Sequence, residues 1–240
     1  MKYITPGGNA PRLYSELIAE PHLLIAGATG SGKSTLINSL VARLLMTNSP
    51  ATAQLILIDP KRVELFPLRR LPHCIRYADT IPATIQALTE AERELERRFK
   101  AMQKQGRKQS TEPHLYIIID EYADLITTAA KAVTPIITRL VQLGRAGNIH
   151  LIIGTQRPTR DIIAGVIKVN LDCKIALHTA TAQDSRNIIG ANGAESLPRY
   201  GFGIITTPEG LTRSALPPID PAPLVDYWTS RKCHFHPLRA

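Results

Sequence analysis

The chain has 240 residues, of which 44% are hydrophobic and 20% are charged. This is enough apolar material for one large domain with a buried core, and it argues against disorder throughout the chain. The formal net charge of +9 favours an anionic partner, most often nucleic acid. The three cysteines lie far apart without a CxxC spacing. A disulfide framework or zinc site is therefore not expected. We expect a reducing, cytoplasmic compartment.

The amino-terminal residues lack the apolar core of a signal peptide. No apolar run approaches the ~20 residues that cross a bilayer. We therefore expect no membrane segment in this chain, so any work at a membrane would depend on another segment or protein.

Apolar runs and amphipathic stretches alternate along the chain. Strands are predicted at residues 23–26, 55–58, 115–119, 149–153, 173–177 and 202–206, and helices at 33–46, 82–105 and 135–143. The intervening residues 60–80 are predicted to be an irregular connection. This alternation indicates an α/β fold with a mostly parallel sheet and helices on both faces.

Three parts are predicted along the chain. Residues 1–20 show little periodicity and are expected to be a lead-in segment, and residues 21–210 form the α/β domain. Residues 211–240 are a proline-rich, basic tail or a strap over the domain.

A glycine-rich loop, GATGSGKS, lies between the first predicted strand and the first helix. Its glycines let backbone N–H groups point at phosphate oxygens, at the positive end of the helix dipole. Lys33 is expected to reach the β- and γ-phosphates, and Ser34 to ligate Mg²⁺. The residues predicted to bind ATP are Gly27, Ala28, Thr29, Gly30, Ser31, Gly32, Lys33, Ser34 and Thr35. A plain glycine-rich turn is the alternative, and the flanking strand and helix disfavour it.

Two carboxylates end the strand predicted at residues 115–119. This pattern is typical of a Walker B segment, in which Asp120 would hold Mg²⁺ and Glu121 would act as general base on the attacking water. Two solvated acids at a strand end are the alternative, which a phosphate-binding loop in the same chain makes less favourable.

Gln156 follows another apolar strand, in the segment Gly154-Thr155-Gln156. Ligands of open α/β sheets bind at the carboxyl ends of the strands, so Gln156 is predicted to approach the γ-phosphate or its water. A surface turn residue is the alternative.

The chain has no Asn-Lys-x-Asp or Thr-Lys-x-Asp guanine reader, which argues against a GTPase. A small-molecule kinase is compatible with the phosphate loop alone. Such kinases usually lack an Asp-Glu pair at this position, because a base that activates water would waste ATP by hydrolysis.

The sequence resembles the motor domain of FtsK/SpoIIIE-type DNA translocases, in the HerA/FtsK branch of RecA-like P-loop ATPases. The matching segments are PHLLIAGATGSGKS (21–34), LILIDPKRVEL (55–65), LERRFKAM (95–102), IIIDEYADL (117–125), RAGNIHLIIGTQRPTRDIIAGVIKVN (145–170) and DSRNIIGANGAESL (184–197). The resemblance implies a ring, a hexamer, around double-stranded DNA, with ATP between neighbouring subunits. It also implies a catalytic arginine from the adjacent subunit. Arg186 is the first choice, and Arg98 and Arg145 are alternatives.

DNA would be held through its phosphates, which carry no sequence information directly. The predicted contacts are Arg157, Arg160 and Lys168, with Arg107 and Lys108 as further candidates. The alternative for each is a solvated surface base. The chain shows no preceding transmembrane region and no following winged-helix module, so a compact motor of a mobile element is expected, with a membrane protein or a relaxase as a possible partner.

Three functions are compatible with these patterns. The favoured one is an ATP-driven translocase of double-stranded DNA. The second is a motor that moves polypeptides, as in the related type VII secretion ATPases. The third is an assembly module that binds nucleotide without turnover, against which the intact Lys33, Asp120 and Glu121 argue.

Overall fold

A computed structural model describes residues 2–4, 10–159, 161–162, 169–171, 173–208 and 210–230. In these residues nine strands form one sheet: β1 (Lys2–Ile4), β2 (His22–Ala26), β3 (Ala53–Ile58), β4 (Cys74–Ala78), β5 (His114–Ile119), β6 (Ile149–Thr155), β7 (Cys173–Ala176), β8 (Phe202–Thr207) and β9 (Gly210–Ala215). The α-helices are α1 (Ala10–Ala19), α2 (Lys33–Thr47), α3 (Ile81–Gln105), α4 (Tyr122–Leu143), α5 (Ala182–Ile189) and α6 (Ala222–Ser230). Short 3-10 helices lie at Phe66–Arg70 and Ala194–Ser196.

The sheet has the order β1-β9-β8-β7-β2-β6-β5-β3-β4. All neighbouring strands are parallel except the pairs β7–β8 and β8–β9, which are antiparallel. The mostly parallel α/β sheet predicted from the sequence is confirmed. Each described helix is too short or too polar to traverse a lipid bilayer.

Helices cover both faces of the sheet. Successive residues of a strand point to opposite faces, so Leu24 packs with α3, α4 and α5, whereas Leu23 packs with α1, α2 and α6. Burial on both faces explains why β2, β3, β5 and β6 are nearly continuous apolar runs.

The register aligns the carboxyl ends of the central strands. Ala26 of β2 lies opposite Thr155 of β6, and Ile119 of β5 lies opposite Ile153 of β6. The residues that follow these strands therefore meet at one edge of the sheet, where the phosphate loop also begins.

The six strands and the helices α2 and α3 predicted from periodicity are present, with ends that shift by one or two residues. Thr80 caps α3 because its hydroxyl accepts a hydrogen bond from the Ala83 N–H at 3.3 Å.

Two segments that were predicted to be irregular contain regular secondary structure. Residues 60–80 contain the edge strand β4, which is short and mostly half-buried, so it lacks a clear apolar run. The lead-in contains α1, whose buried Tyr14, Leu17 and Ile18 pack on the face covered by α2. The division into lead-in, α/β domain and tail stays a prediction.

The helix predicted at residues 135–143 begins much earlier, at Tyr122. The prediction placed Pro135 at a helix start, where proline is favoured. Proline instead lies inside α4, after a kink at Ala129, where φ is −140° and ψ is 29°. The Glu121 carboxylate caps the true start by accepting from the Ala123 N–H.

The carboxyl-terminal segment is a strap across the α1–α2 face, which we define as residues 216–230. Tyr14 donates its hydroxyl hydrogen to the Pro217 carbonyl at 2.7 Å, and the Ile219 N–H donates to the Ser39 hydroxyl at 2.8 Å. The Trp228 indole donates to the Leu45 carbonyl at 3.2 Å. These bonds hold residues 216–230 against the domain, and the helix α6 and the preceding strand β9 were not predicted.

Two buried histidines lie at the sheet edge opposite the phosphate loop. His150 stacks on Tyr116 with ring centroids 4.7 Å apart, and its Nε2 lies 2.8 Å from Nδ1 of His114. His22 accepts a hydrogen bond from the Leu151 N–H at 3.1 Å. Burial, with a neighbouring histidine in each case, lowers the pKa of His22 to about 3 and that of His150 to about 4.

We expect these histidines to make the fold sensitive to mild acid. The folded state favours the neutral rings, so their contribution is complete above the unfolded pKa of about 6.5 and is lost as pH falls towards 4. For His150 the loss at pH 5.5 is about 1 kcal/mol. Urea unfolding of wild type and His150→Gln at pH 7.5 and 5.5 measures it. An equal loss of stability in both proteins would contradict the assignment to His150.

Candidate nucleotide-binding site

The phosphate loop joins β2 to α2 and is shaped by its glycines. Gly30 and Gly32 have φ of 75° and 91°, a left-handed conformation that other residues rarely adopt. A Cβ at Gly27 would lie 2.6 Å from the Ser31 hydroxyl and 2.8 Å from the Leu177 Cβ. The loop is also bonded to the segment after β7, because the Ala28 N–H donates to the His178 carbonyl at 2.8 Å.

A buried ion pair links this loop to the end of β5. The Lys33 ammonium lies 2.7 Å from an Asp120 carboxylate oxygen, with 3% of each side chain exposed. Lys33 also donates to the Asp120 main-chain carbonyl. The structure thus brings together the two residues that the sequence assigned to phosphate and to Mg²⁺. Their roles remain predictions.

The Glu121 carboxylate is buried and held by three donor groups. It accepts from the Thr155 hydroxyl at 2.9 Å and the Gln156 N–H at 3.0 Å, in addition to the helix cap at Ala123. Among the residues that the structure describes, Oε2 accepts only from Gln156, whereas Oε1 accepts from all three groups. Oε2 therefore retains the greater capacity to accept a hydrogen bond from a water molecule.

Gln156 contacts the phosphate loop directly. Its side-chain oxygen accepts from the Thr29 hydroxyl at 2.7 Å. A cavity of about 180 Å³ lies beside this contact, between Ala28, Gln156 and the start of α5 at Asp184. The predicted position of Gln156 beside the loop agrees with this geometry, and its role as a γ-phosphate sensor stays a prediction.

Sequence reasoning gave no role to Thr155, which is fully buried between Glu121 and the backbone of Arg157. Thr155 lies in the Gly154-Thr155-Gln156 segment, in which only Gln156 was predicted to have a role. The sequence also gave no role to Tyr200, whose hydroxyl lies 3.8 Å from the position of a Cβ at Gly30. No motif links residues so far apart in the chain.

The three candidate arginines differ in burial. Arg98 is 2% exposed and bonds Glu94 and the Gly147 carbonyl of its own chain at 2.7 Å. This burial is incompatible with a reach into a neighbouring subunit. Arg186 is exposed on α5, where it donates to Asn192 and Gln183. Arg145 is also exposed.

Of the predicted DNA contacts, only Arg157 falls in the described part of the chain, where it is exposed near Gln156. Arg160 and Lys168 lie outside the described residues. Arg107 and Lys108 are exposed just before β5 begins, at the sheet edge opposite the phosphate loop.

Hard oxygen donors suit Mg²⁺, and the Ser34 hydroxyl and the Asp120 carboxylate supply them. Asp120 contacts Lys33, which is the residue before Ser34 in the sequence. Ser34 and Asp120 therefore fit the ion. Among the described residues, no three His, Cys, Asp or Glu side chains come together as a metal site. The ion would therefore depend on phosphate oxygens for its remaining ligands, as is common for Mg²⁺.

The sheet and this loop define a P-loop nucleoside-triphosphatase domain. The model of the FtsK/SpoIIIE family matches residues 8–114 and 100–160. The chain belongs to that family.

Two curated relatives show the extent of this similarity. DNA translocase SpoIIIE of Bacillus subtilis is 41% identical over 203 residues, which cover 76% of this chain and 26% of that protein. DNA translocase FtsK of Borreliella burgdorferi is 41% identical over 198 residues, with 76% and 25% covered. The chain thus spans about a quarter of the length of these relatives.

Solved structures share the fold. The pCW3 conjugation coupling protein TcpA, a monomer form with ATPγS, superimposes with a TM-score of 0.75 at 25% identity, covering 88% of this chain and 66% of TcpA. The cytoplasmic domain of the type VII secretion ATPase EccC of Thermomonospora curvata has a TM-score of 0.76 at 24% identity, covering 92% of this chain and 29% of that domain. The likeness to EccC shows the fold alone.

We expect Gly154→Ala to disturb the site through the backbone. A Cβ at Gly154 would lie 2.4 Å from the Asp120 carbonyl oxygen, a clash that the β5 and β6 ends can relieve only by separating. The loss of stability should exceed about 2 kcal/mol. Thermal unfolding checks this, with Gly106→Ala as control, because that position has open space and only a left-handed φ of 63°. An equal or smaller effect of Gly154→Ala would contradict the clash.

Proposed function

We propose that this chain is an ATP-hydrolysing motor that translocates double-stranded DNA as a ring-shaped oligomer, a hexamer. It would act in the cytoplasm, in DNA segregation or in DNA transfer by a mobile element. The observation that carries the proposal is the convergence of Lys33, Asp120, Glu121 and Gln156 at one sheet edge, in a member of the FtsK/SpoIIIE family. The relatives named DNA translocases support the substrate.

ATP would bind with its phosphates in the loop from Gly27 to Thr35. The loop N–H groups and the start of α2 favour negative charge. A triphosphate would compete with Asp120 for the Lys33 ammonium, which is already at the loop. Ser34 and Asp120 would hold Mg²⁺, which neutralises charge on the phosphates when it is bound.

Glu121 would take the proton from the attacking water. Its hydrogen bonds from Thr155 and Gln156 fix the carboxylate between β5 and β6. Gln156 would orient the same water and respond when the γ-phosphate leaves, and its contact with Thr29 of the phosphate loop supports this role. This arrangement provides positioning and a base, the usual contributions of a protein to phosphoryl transfer.

The neighbouring subunit would supply a positive charge to complete the site. Arg186 is the candidate because its side chain is exposed and its bonded partners Asn192 and Gln183 are neutral. An arginine from a second subunit stabilises charge in the transition state of other P-loop enzymes. It would also make hydrolysis depend on assembly.

DNA would be bound through its phosphates by exposed basic side chains. Arg157 supports this contact because it is exposed immediately after Gln156, so that DNA contact and nucleotide state share one segment. Arg160 and Lys168 follow in the same part of the sequence. We also propose that a membrane protein or a relaxase brings the motor to its DNA.

We expect Lys33→Ala and Glu121→Gln to fail at different steps. Lys33→Ala should lose ATP binding, because it removes the ammonium that the phosphates need. Glu121→Gln should bind ATP normally but hydrolyse it on the order of 100-fold or more slowly, because the general base is absent. Fluorescent-nucleotide binding and phosphate release measure the two steps. Equal, negligible hydrolysis by wild type and Glu121→Gln would instead indicate a module without turnover.

We expect linear duplex DNA to stimulate the ATPase activity, and the stimulation to weaken as salt rises. Each phosphate contact adds a slope of about −0.9 to the dependence of log affinity on log salt. The measurement compares duplex DNA with an unstructured polypeptide at 50 and 200 mM salt, with the oligomer mass determined in parallel. Stimulation by the polypeptide but not by DNA would overturn the DNA assignment in favour of a polypeptide motor.

A further inference from the structure

A cavity of about 380 Å³ lies between α2, the 3-10 helix at Phe66–Arg70 and the strap. It shares no lining residue with the cavity beside Gln156. We propose that this cavity is a docking site for residues 231–240 of the same chain, which we call the basic segment. The basic segment follows the strap directly in the sequence and lies outside the described residues. The inference does not depend on the proposed motor activity.

The cavity is lined by acidic side chains, although the chain as a whole is basic. Glu64, Asp220 and Asp226 line it together with Arg70, whereas the formal net charge of the chain is +9. None of these four side chains forms an ion pair within the described part of the chain. Asp220 accepts from the Ala222 N–H at 3.0 Å, a hydrogen bond that brings no positive charge. The acidic cavity, as we call it, therefore favours a cationic ligand.

Apolar side chains and an unsatisfied acceptor complete the lining. Pro67, Leu68 and Val225 contribute the apolar surface, and the last two belong to the buried cluster on this face of the sheet. The side-chain oxygen of Asn38, at the α2 wall, is buried and has no hydrogen-bond partner among the described residues. A buried acceptor without a donor is costly, and an N–H group of a ligand removes that cost. The cavity therefore suits a peptide with basic and apolar side chains.

The basic segment, RKCHFHPLRA, has this chemistry. Arg231, Lys232 and Arg239 supply positive charge, and the segment contains no aspartate or glutamate. Phe235 and Leu238 supply apolar side chains. The segment thus complements the acidic cavity both in charge and in apolar surface.

The point of attachment favours docking within one chain. Helix α6 lines the cavity through Ala222, Val225 and Asp226 and ends at Ser230. A helix rises about 1.5 Å per residue, so Asp226 and Ser230 are about 6 Å apart along its axis. An extended segment of the length of residues 231–240 spans up to about 33 Å. Attachment also gives the segment an effective concentration on the order of millimolar, so that weak contacts are sufficient for docking.

Cys233 provides a probe of the basic segment in the intact chain. Pro67→Cys places a second thiol at the wall formed by the 3-10 helix, where Pro67 is exposed. We expect an intramolecular disulfide between these two positions in a glutathione redox buffer, located by mass spectrometry of the digested protein. Thermal unfolding verifies that the variant is folded, and Ala222→Cys supplies a second position in the cavity if it is not.

Met46→Cys is the matched control. Met46 is 52% exposed and follows Leu45, whose carbonyl accepts from the Trp228 indole, so it lies near the end of α6 but outside the acidic cavity. A segment without a docking site would reach both positions. We expect the disulfide yield of Pro67→Cys to be about tenfold higher, because docking raises the local concentration of Cys233 only in the cavity.

The contribution of charge is tested by combining Pro67→Cys with Glu64→Gln and Asp226→Asn. We expect the disulfide yield to fall about fivefold, and rising salt to lower the yield of Pro67→Cys alone, because salt screens exposed charges. Glu16→Gln is the control for this series, since it removes an exposed acid of α1 outside the cavity. It should leave the yield unchanged.

Each contrary outcome overturns a defined part of the proposal. Equal yields for Pro67→Cys and Met46→Cys would eliminate the docking site. A yield that Glu64→Gln with Asp226→Asn leaves unchanged would eliminate charge complementarity as its basis. Disulfides between chains that disappear on dilution would overturn docking within one chain in favour of a neighbouring copy. The proposed motor stands or falls independently of all three.

Discussion

The ion pair between Lys33 and Asp120 is the interaction on which the site depends. Both side chains are almost fully buried, and their charged atoms lie 2.7 Å apart. A buried charge without its partner costs about 3–5 kcal/mol, so neither residue can be lost without a penalty to the fold. The pair also joins the loop after β2 to the end of β5, although β6 lies between these strands. Phosphate in the loop would replace one partner of Lys33 with another.

The ends of β5 and β6 are also held together by close packing and hydrogen bonds. Gly154 allows the two chains to approach at the Asp120 carbonyl, and Thr155 and Gln156 then donate to Glu121. Glu121 therefore serves both as the cap of α4 and as the proposed base. Because Gln156 also contacts Thr29, two hydrogen bonds connect the phosphate loop to the cap of α4. Arg157 follows Gln156 directly, so the proposed DNA contact lies next to this connection.

Local patterns explain which features the sequence could predict. The central strands are apolar on both faces and α2 repeats its apolar residues every three or four positions, so periodicity located them together with Lys33, Asp120 and Gln156. Edge strand β4 is only half-buried, and α1 offers too few turns for a repeat. Pro135 suggested a helix start, whereas it lies inside α4, after the kink at Ala129. Tyr200 and Pro218 become neighbours of the loop only through tertiary packing.

The strap gives the proposed motor a structural connection that the phosphate loop alone lacks. The Ser39 hydroxyl donates to the Thr35 carbonyl and accepts from the Ile219 N–H, so one side chain joins the first turn of α2 to the strap. Trp228 anchors the far end of the strap on Leu45 and packs edge-on against His73. The strap is therefore bonded near both ends of α2, at Ser39 and at Leu45. Because Ser39 bonds both the Thr35 carbonyl and the Ile219 N–H, a shift of the first turn of α2 would be felt by the strap through a single side chain.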